Sequence, residues 1–132
     1  MHRTRCGEAG HVLLEAVLLG LIVLAVAASL GIFARTALLR EYAAARMEAA
    51  LVARAQFSRM EAALDTGVPP PCGVTEVRAN ERIYRVETSV TRTEDFYDVQ
   101  LRLSWQIAGH AETVDFVRRM RHHVRVEDTS GT

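Results

Sequence analysis

Hydropathy along this chain changes its period twice. From Ala16 to Ala34 there are 19 consecutive uncharged residues, mostly Leu, Val, Ala and Ile, with Ser29 the single polar side chain. From Thr36 to Leu64 the composition shifts to Ala, Leu, Arg, Glu and Met, all good helix formers. Here apolar residues recur at helical spacing, with Leu39, Ala43, Met47, Ala50, Ala53, Phe57, Met60 and Leu64 on one face. Beyond Cys72-Gly73 the period falls to two. Val99, Leu101, Leu103, Trp105 and Ile107 alternate with Gln100, Arg102, Ser104 and Gln106, which is the pattern of a half-buried strand.

These periods predict an order of elements. No proline lies between His11 and Val68, so the apolar run and the amphipathic stretch are expected to form one helix of about 50 residues, some 75–80 Å long at 1.5 Å per residue. Asp65-Thr66-Gly67 ends it, with Gly67 at the C′ position. Pro69-Pro70-Pro71 then forces an extended linker over 67–73. Strands follow at Ile83–Thr91, with Tyr84, Val86, Thr88 and Val90 on one side, at Phe96–Ile107, and at Glu112–Met120, with Val114 and Phe116 inward. Turns are expected at Thr91–Asp95 and Ala108–Ala111, and a fourth strand if Val74–Arg78 pairs. One face of this sheet, spanning 74–126, is apolar and needs a cover, and the amphipathic half of the helix, 36–66, supplies it. The fold class is α+β: a long N-terminal helix on a small antiparallel sheet of three to four strands. The tail 127–132 is polar.

With 132 residues the chain has room for one domain beside the apolar run. Sixteen basic residues, all Arg, balance sixteen acids. No global excess argues for nucleic acid or for disorder. Two cysteines, Cys6 and Cys72, make neither a disulfide framework nor a metal-ligand spacing.

The 19-residue run is close to the roughly 20 residues that a spanning helix needs. A secretory signal is the competing reading. Its apolar core is shorter, roughly 7–15 residues, although Ala25-Val26-Ala27 is a weak cleavage pattern. Arg3 and Arg5 before the run and Arg35 and Arg40 after it are too balanced to orient it. Glu15, at the head of the run, distinguishes the segment. A carboxylate at the centre of a membrane costs about 2.5–3.5 kcal/mol on insertion scales, and intramembrane acids are usually paired.

The surroundings of Glu15 are a short polar leader, Gly10, four further residues, the acid, and then the apolar run. This N-terminus resembles that of type IV prepilins and of the minor pseudopilins of type II secretion. The resemblance covers residues 1–34 closely and the remainder in architecture. It implies a leader 1–10, cut after Gly10 by a prepilin peptidase, and a mature N-terminus at His11 that is methylated. It implies a membrane and filament-packing helix over 11–35. Glu15 would neutralise the terminal amine of a neighbouring subunit. The implied partners are other minor and major pilin-like subunits, the peptidase, an inner-membrane assembly platform and the lipid bilayer. The expected role is structural, in starting or assembling a filament for secretion, adhesion or DNA uptake. The globular part would lie in the periplasm or outside the cell.

Enzyme chemistry has little support. There is no G-x-S-x-G, phosphate loop or H-E-x-x-H. His122 and His123 are adjacent, which on a strand sends them to opposite faces. No cofactor is expected. Glu94, Asp95 and Asp98 are the weak candidates for a cation, but three acids fall short of a full oxygen shell, and a solvated turn is favoured. The basic run Arg118–Arg125 lacks interleaved aromatics and is followed at once by Glu127-Asp128. It is read as a solvated edge or subunit contact in preference to a nucleic-acid surface. Two other functions compete with the filament role: a single-pass scaffold or sensory domain that keeps its N-terminus, and a secreted binding module starting near Ala28.

Overall fold

The computed structural model describes residues 6–121, with side chains from residue 10 onward. The elements are one helix, α1 (Cys6–Asp65), and four strands, β1 (Gly73–Ala79), β2 (Arg82–Arg92), β3 (Phe96–Ile107) and β4 (His110–Arg121). Contacts divide the chain into two units between Glu41 and Tyr42.

In the first unit every side chain from Gly10 to Glu41 is exposed. The two hydroxyls of the segment bond back to the helix itself: Ser29 donates to the Ala25 carbonyl at 2.8 Å and Thr36 to that of Ile32 at 2.9 Å. The helix is long and apolar enough to cross a membrane, by length and composition. It also reaches back through Gly10 to Cys6, so its 60 residues exceed the 50 expected from the apolar pattern. The segment preceding His11 continues the same helical backbone.

The second unit is an α+β fold in which the remainder of α1 packs on a four-stranded antiparallel sheet of order β1-β2-β3-β4. The helix ends in a Schellman motif. Gly67 is the C′ residue with φ of 84°, its N–H donates to the Leu64 carbonyl at 2.9 Å, and the Val68 N–H donates to that of Ala63 at 2.8 Å. Gly73 to Ala79 pairs with Thr88 to Arg82, so the conditional fourth strand is present. The β3–β4 turn is tighter than expected: Ile107 pairs with His110, leaving only Ala108 and Gly109 in the loop, both at positive φ. Two-residue loops with that backbone match the right-handed twist of the strands they join.

The inward side of the sheet follows the period-two pattern. Tyr84, Val86, Val99, Leu101, Leu103, Trp105 and Ile107 are buried, while Val90, Val114 and Phe116 pack at the margin. Tyr84 and Trp105 stack tilted, with ring centroids 5.4 Å apart.

The helix face needs a correction. Ala53, Phe57, Met60 and Leu64 are buried as expected, but Leu39, Ala43, Met47 and Ala50 are not. Tyr42, Ala45, Ala49 and Val52 take their place toward the core, and Met47 stays 70% exposed. The reason is steric. The hydroxyl of the fully buried Tyr84 touches the Ala45 carbonyl oxygen at 3.0 Å, so the helix backbone runs close over the sheet there. Only small side chains fit beneath it, and the larger ones turn outward.

Candidate functional site

The residues singled out by the N-terminal pattern all lie on α1. Gly10, His11 and Glu15 are exposed. A Cβ added at Gly10 would meet nothing within 4 Å, so no packing within the chain requires glycine there. Glycine is a poor helix former, about 1 kcal/mol worse than alanine per position, which makes Gly10-His11 a weak point in the helical backbone. Glu15 makes no hydrogen bond or ion pair to another described residue. Its neighbours along the helix, Val12, Leu13, Leu14, Leu18 and Leu19, are more than half exposed. Among the described residues, then, the carboxylate stands on an apolar surface with no charge partner.

The sheet unit holds a second polar constellation that hydropathy alone did not reveal. Glu48 projects from α1 toward the β1–β2 hairpin. Its Oε1 accepts from Asn80 Nδ2 at 2.6 Å, and its Oε2 accepts from the Tyr84 hydroxyl at 2.9 Å and from Arg82 Nη1 at 3.1 Å. Asn80 sits in the two-residue loop between Ala79 and Arg82 with φ of 52°, a left-handed conformation that asparagine tolerates. Three donors from one hairpin thus converge on one helical carboxylate. The Asn80 amide and the Tyr84 hydroxyl, helped by the Arg82 charge, hold Glu48 ionised to lower pH than usual. Burial, together with the negative charge of Glu48, pushes the Tyr84 hydroxyl up. The constellation holds the hairpin to the helix. It contains no nucleophile beside a base, and its acid is fully engaged. In the sequence its signal was small: an Asn in a short loop between two strands, and a lone acid among the small residues Ala45, Ala49 and Val52.

The acids Glu94, Asp95 and Asp98 do not come together as a cation site. No group of three or more His, Cys, Asp or Glu side chains suited to a metal occurs among the described residues. Asp98 belongs to β3, where it accepts from Arg119 of β4 through Nε at 2.7 Å and Nη2 at 3.1 Å. That fork pulls the Asp98 carboxyl below its ordinary range. Glu94 and Asp95 lie in the loop before β3, closed by the Thr93 and Phe96 backbone groups.

The basic run is largely committed within the chain as far as it is described. Arg118 pairs with Glu61 at 3.0 Å and lies over the Phe57 ring; Arg119 pairs with Asp98 and lies over Phe96. Arg102 and Asp115 form a further forked pair between β3 and β4, at 2.9 and 3.3 Å. His122, His123, Arg125 and the tail 127–132 lie outside the described residues, as do residues 1–5 of the expected leader.

Comparison of the chain with protein-family models, with curated proteins and with solved structures finds no match.

Proposed function

We propose that this chain is a minor pilin-like subunit, anchored in the inner membrane by the first part of α1 and built into a filament with related subunits. The observation that carries the reading is Glu15. It is an ionisable group on an exposed apolar helix, without a partner among the described residues of its own chain. In lipid an isolated carboxylate is costly, and one that is met by a positive charge is far less so. A cut between Gly10 and His11 creates such a charge, the α-amine of His11, four residues before Glu15. On a neighbouring copy this amine reaches the acid when helices pack side by side. The exposed apolar face of α1 then has two successive environments, the bilayer before assembly and other helices after it. The sheet unit on the far part of α1 is the surface such a subunit presents outside the membrane. Its role is mechanical, with no catalytic residue and no cofactor, and its partners are sister subunits, the peptidase and the assembly platform.

Intact-mass analysis of the membrane-extracted protein tests this. A chain beginning at His11 with one added methyl group is expected. A full-length chain supports a permanently anchored scaffold or sensory domain in its place, and a chain beginning near Ala28 supports a secreted module.

A further inference from the structure

The uncharged run of α1 ends at Arg35, and Arg40 follows five residues later. Both arginines belong to the first unit and are exposed, and neither has an ion pair or hydrogen bond to another described residue. Few acids in this unit could neutralise them. From His11 to Glu41 the acids are Glu15 and Glu41. Glu15 stands about 30 Å away along the helix, and Glu41 already has an interaction of its own. The hydroxyl between the arginines, Thr36, is turned back onto the Ile32 carbonyl at 2.9 Å. Two guanidinium groups are therefore left uncommitted at the end of an exposed apolar surface.

Their depth identifies the partner. The 19 uncharged residues from Ala16 to Ala34 rise about 28 Å, close to the roughly 30 Å of a hydrocarbon core. With that run in the core, Arg35 stands at the boundary and Arg40 about 7.5 Å beyond it, at the outer limit of the headgroup layer. A flexible apolar stem lets each charged head settle among the phosphates, and the planar guanidinium matches a phosphate bidentately. We infer that Arg35 and Arg40 hold the headgroups of net-negative phospholipids, of the phosphatidylglycerol kind, in the leaflet at this end of the anchor. A second copy packed alongside in the same register would present the same two arginines and the engaged Glu41, so it offers no complement. The other end of the run carries the acid Glu15 and no arginine between His11 and Ala34, so the preference belongs to one leaflet. The inference rests on the membrane-anchoring part of the proposed function and on no step of processing or filament assembly.

The test uses the full chain reconstituted in phosphatidylcholine vesicles with a trace of spin-labelled lipid, either phosphatidylglycerol or phosphatidylcholine. Electron paramagnetic resonance measures the fraction of each label whose motion the protein restricts. Phosphatidylglycerol is expected to associate at least about twofold more strongly than phosphatidylcholine, and the preference should shrink as salt is raised from 0.1 to 1 M. Arg35→Gln/Arg40→Gln should bring the two lipids to parity. Arg35→Lys/Arg40→Lys should keep a preference, and Arg54→Gln, an exposed arginine of the second unit, should leave it unchanged. Flotation with the vesicles checks that each variant is inserted. Equal restriction of both lipids by the parent overturns the inference, as does a preference that survives the double Gln change or one that Arg54→Gln abolishes equally. A parent chain that floats without lipid preference removes this inference alone, whereas one that does not float removes the membrane anchor and the inference with it.

Discussion

The Tyr84 hydroxyl lies 2.9 Å from Glu48 Oε2 and 3.0 Å from the Ala45 carbonyl oxygen. One phenol from the second strand thus touches both the side chain and the backbone of the helix above it. Asn80 and Arg82 bring the hairpin to the same carboxylate. These contacts set how close helix and sheet approach at this end of the core.

Removing the carboxylate should therefore loosen the hairpin. Glu48→Ala leaves the Tyr84, Asn80 and Arg82 donors without their acceptor, at a cost of about 1–3 kcal/mol. Tyr84→Phe removes one donor and keeps the buried ring, so about 0.5–1.5 kcal/mol is expected. Urea unfolding followed by circular dichroism measures both. A Glu48→Ala variant as stable as the parent would show that the constellation contributes nothing.

The same contacts set a pH window. Glu48 titrates below its ordinary value of 4.5 in the fold, so its contribution is fully present above pH 4.5 and is lost as pH falls through the lowered folded value. Asp98 and Asp115 are depressed in the same direction by Arg119 and Arg102, but as exposed pairs they add little. Tyr84 titrates above its ordinary value of 10.0. Its contribution is present below pH 10.0 and is lost as pH rises toward the raised folded value. Stability should be flat between these limits and fall on both sides. In Glu48→Gln the acid-side fall should shrink, and thermal melts across pH 2–11 would reveal an unchanged profile if this assignment is wrong.

Two adjacent alanines discriminate the helix faces. Ala49 is fully buried over the sheet and Ala50 is exposed. Ala49→Leu overpacks the core and should cost about 1–3 kcal/mol. Ala50→Leu should fall within about 0.5 kcal/mol of the parent. Equal effects of the two would restore the helix face expected from hydropathy alone.

For the proposed filament role, Glu15→Val should leave membrane insertion intact or improve it, because a charge leaves the apolar segment. Incorporation beside partner subunits should fall sharply, as read by cross-linking in membranes. Normal incorporation would remove the acid from the account.

Gly10 tests a different step. It sits inside α1, so under the proposed processing a peptidase would have to unwind the backbone there. Gly10→Ala strengthens the helix by about 1 kcal/mol and should slow leader removal, seen as full-length chain on an anti-tag blot. Processing at the parental rate would count against both the unwinding and the N-terminal resemblance.

Much of this molecule was determined locally. An uncharged run of 19 residues, helix formers without proline to Val68, glycine at 67 and strict alternation from Val99 to Ile107 each dictate backbone structure through neighbours a few residues away. That is why the order of elements and the inward side of β3 were legible in the sequence. Three features were settled only when helix and sheet met. Ala45 and Ala49 displaced Met47 from the core because Tyr84 brings the helix backbone close, a contact 39 residues apart in the chain. Glu48 found its donors across a comparable separation, 32 to 36 residues away. Asp98 found Arg119 through the β3–β4 register, leaving the cation site suggested by Glu94, Asp95 and Asp98 unassembled. Hydropathy records which side chains leave water, but which partner a polar group meets depends on register and crossing distance, and these exist only in the packed unit.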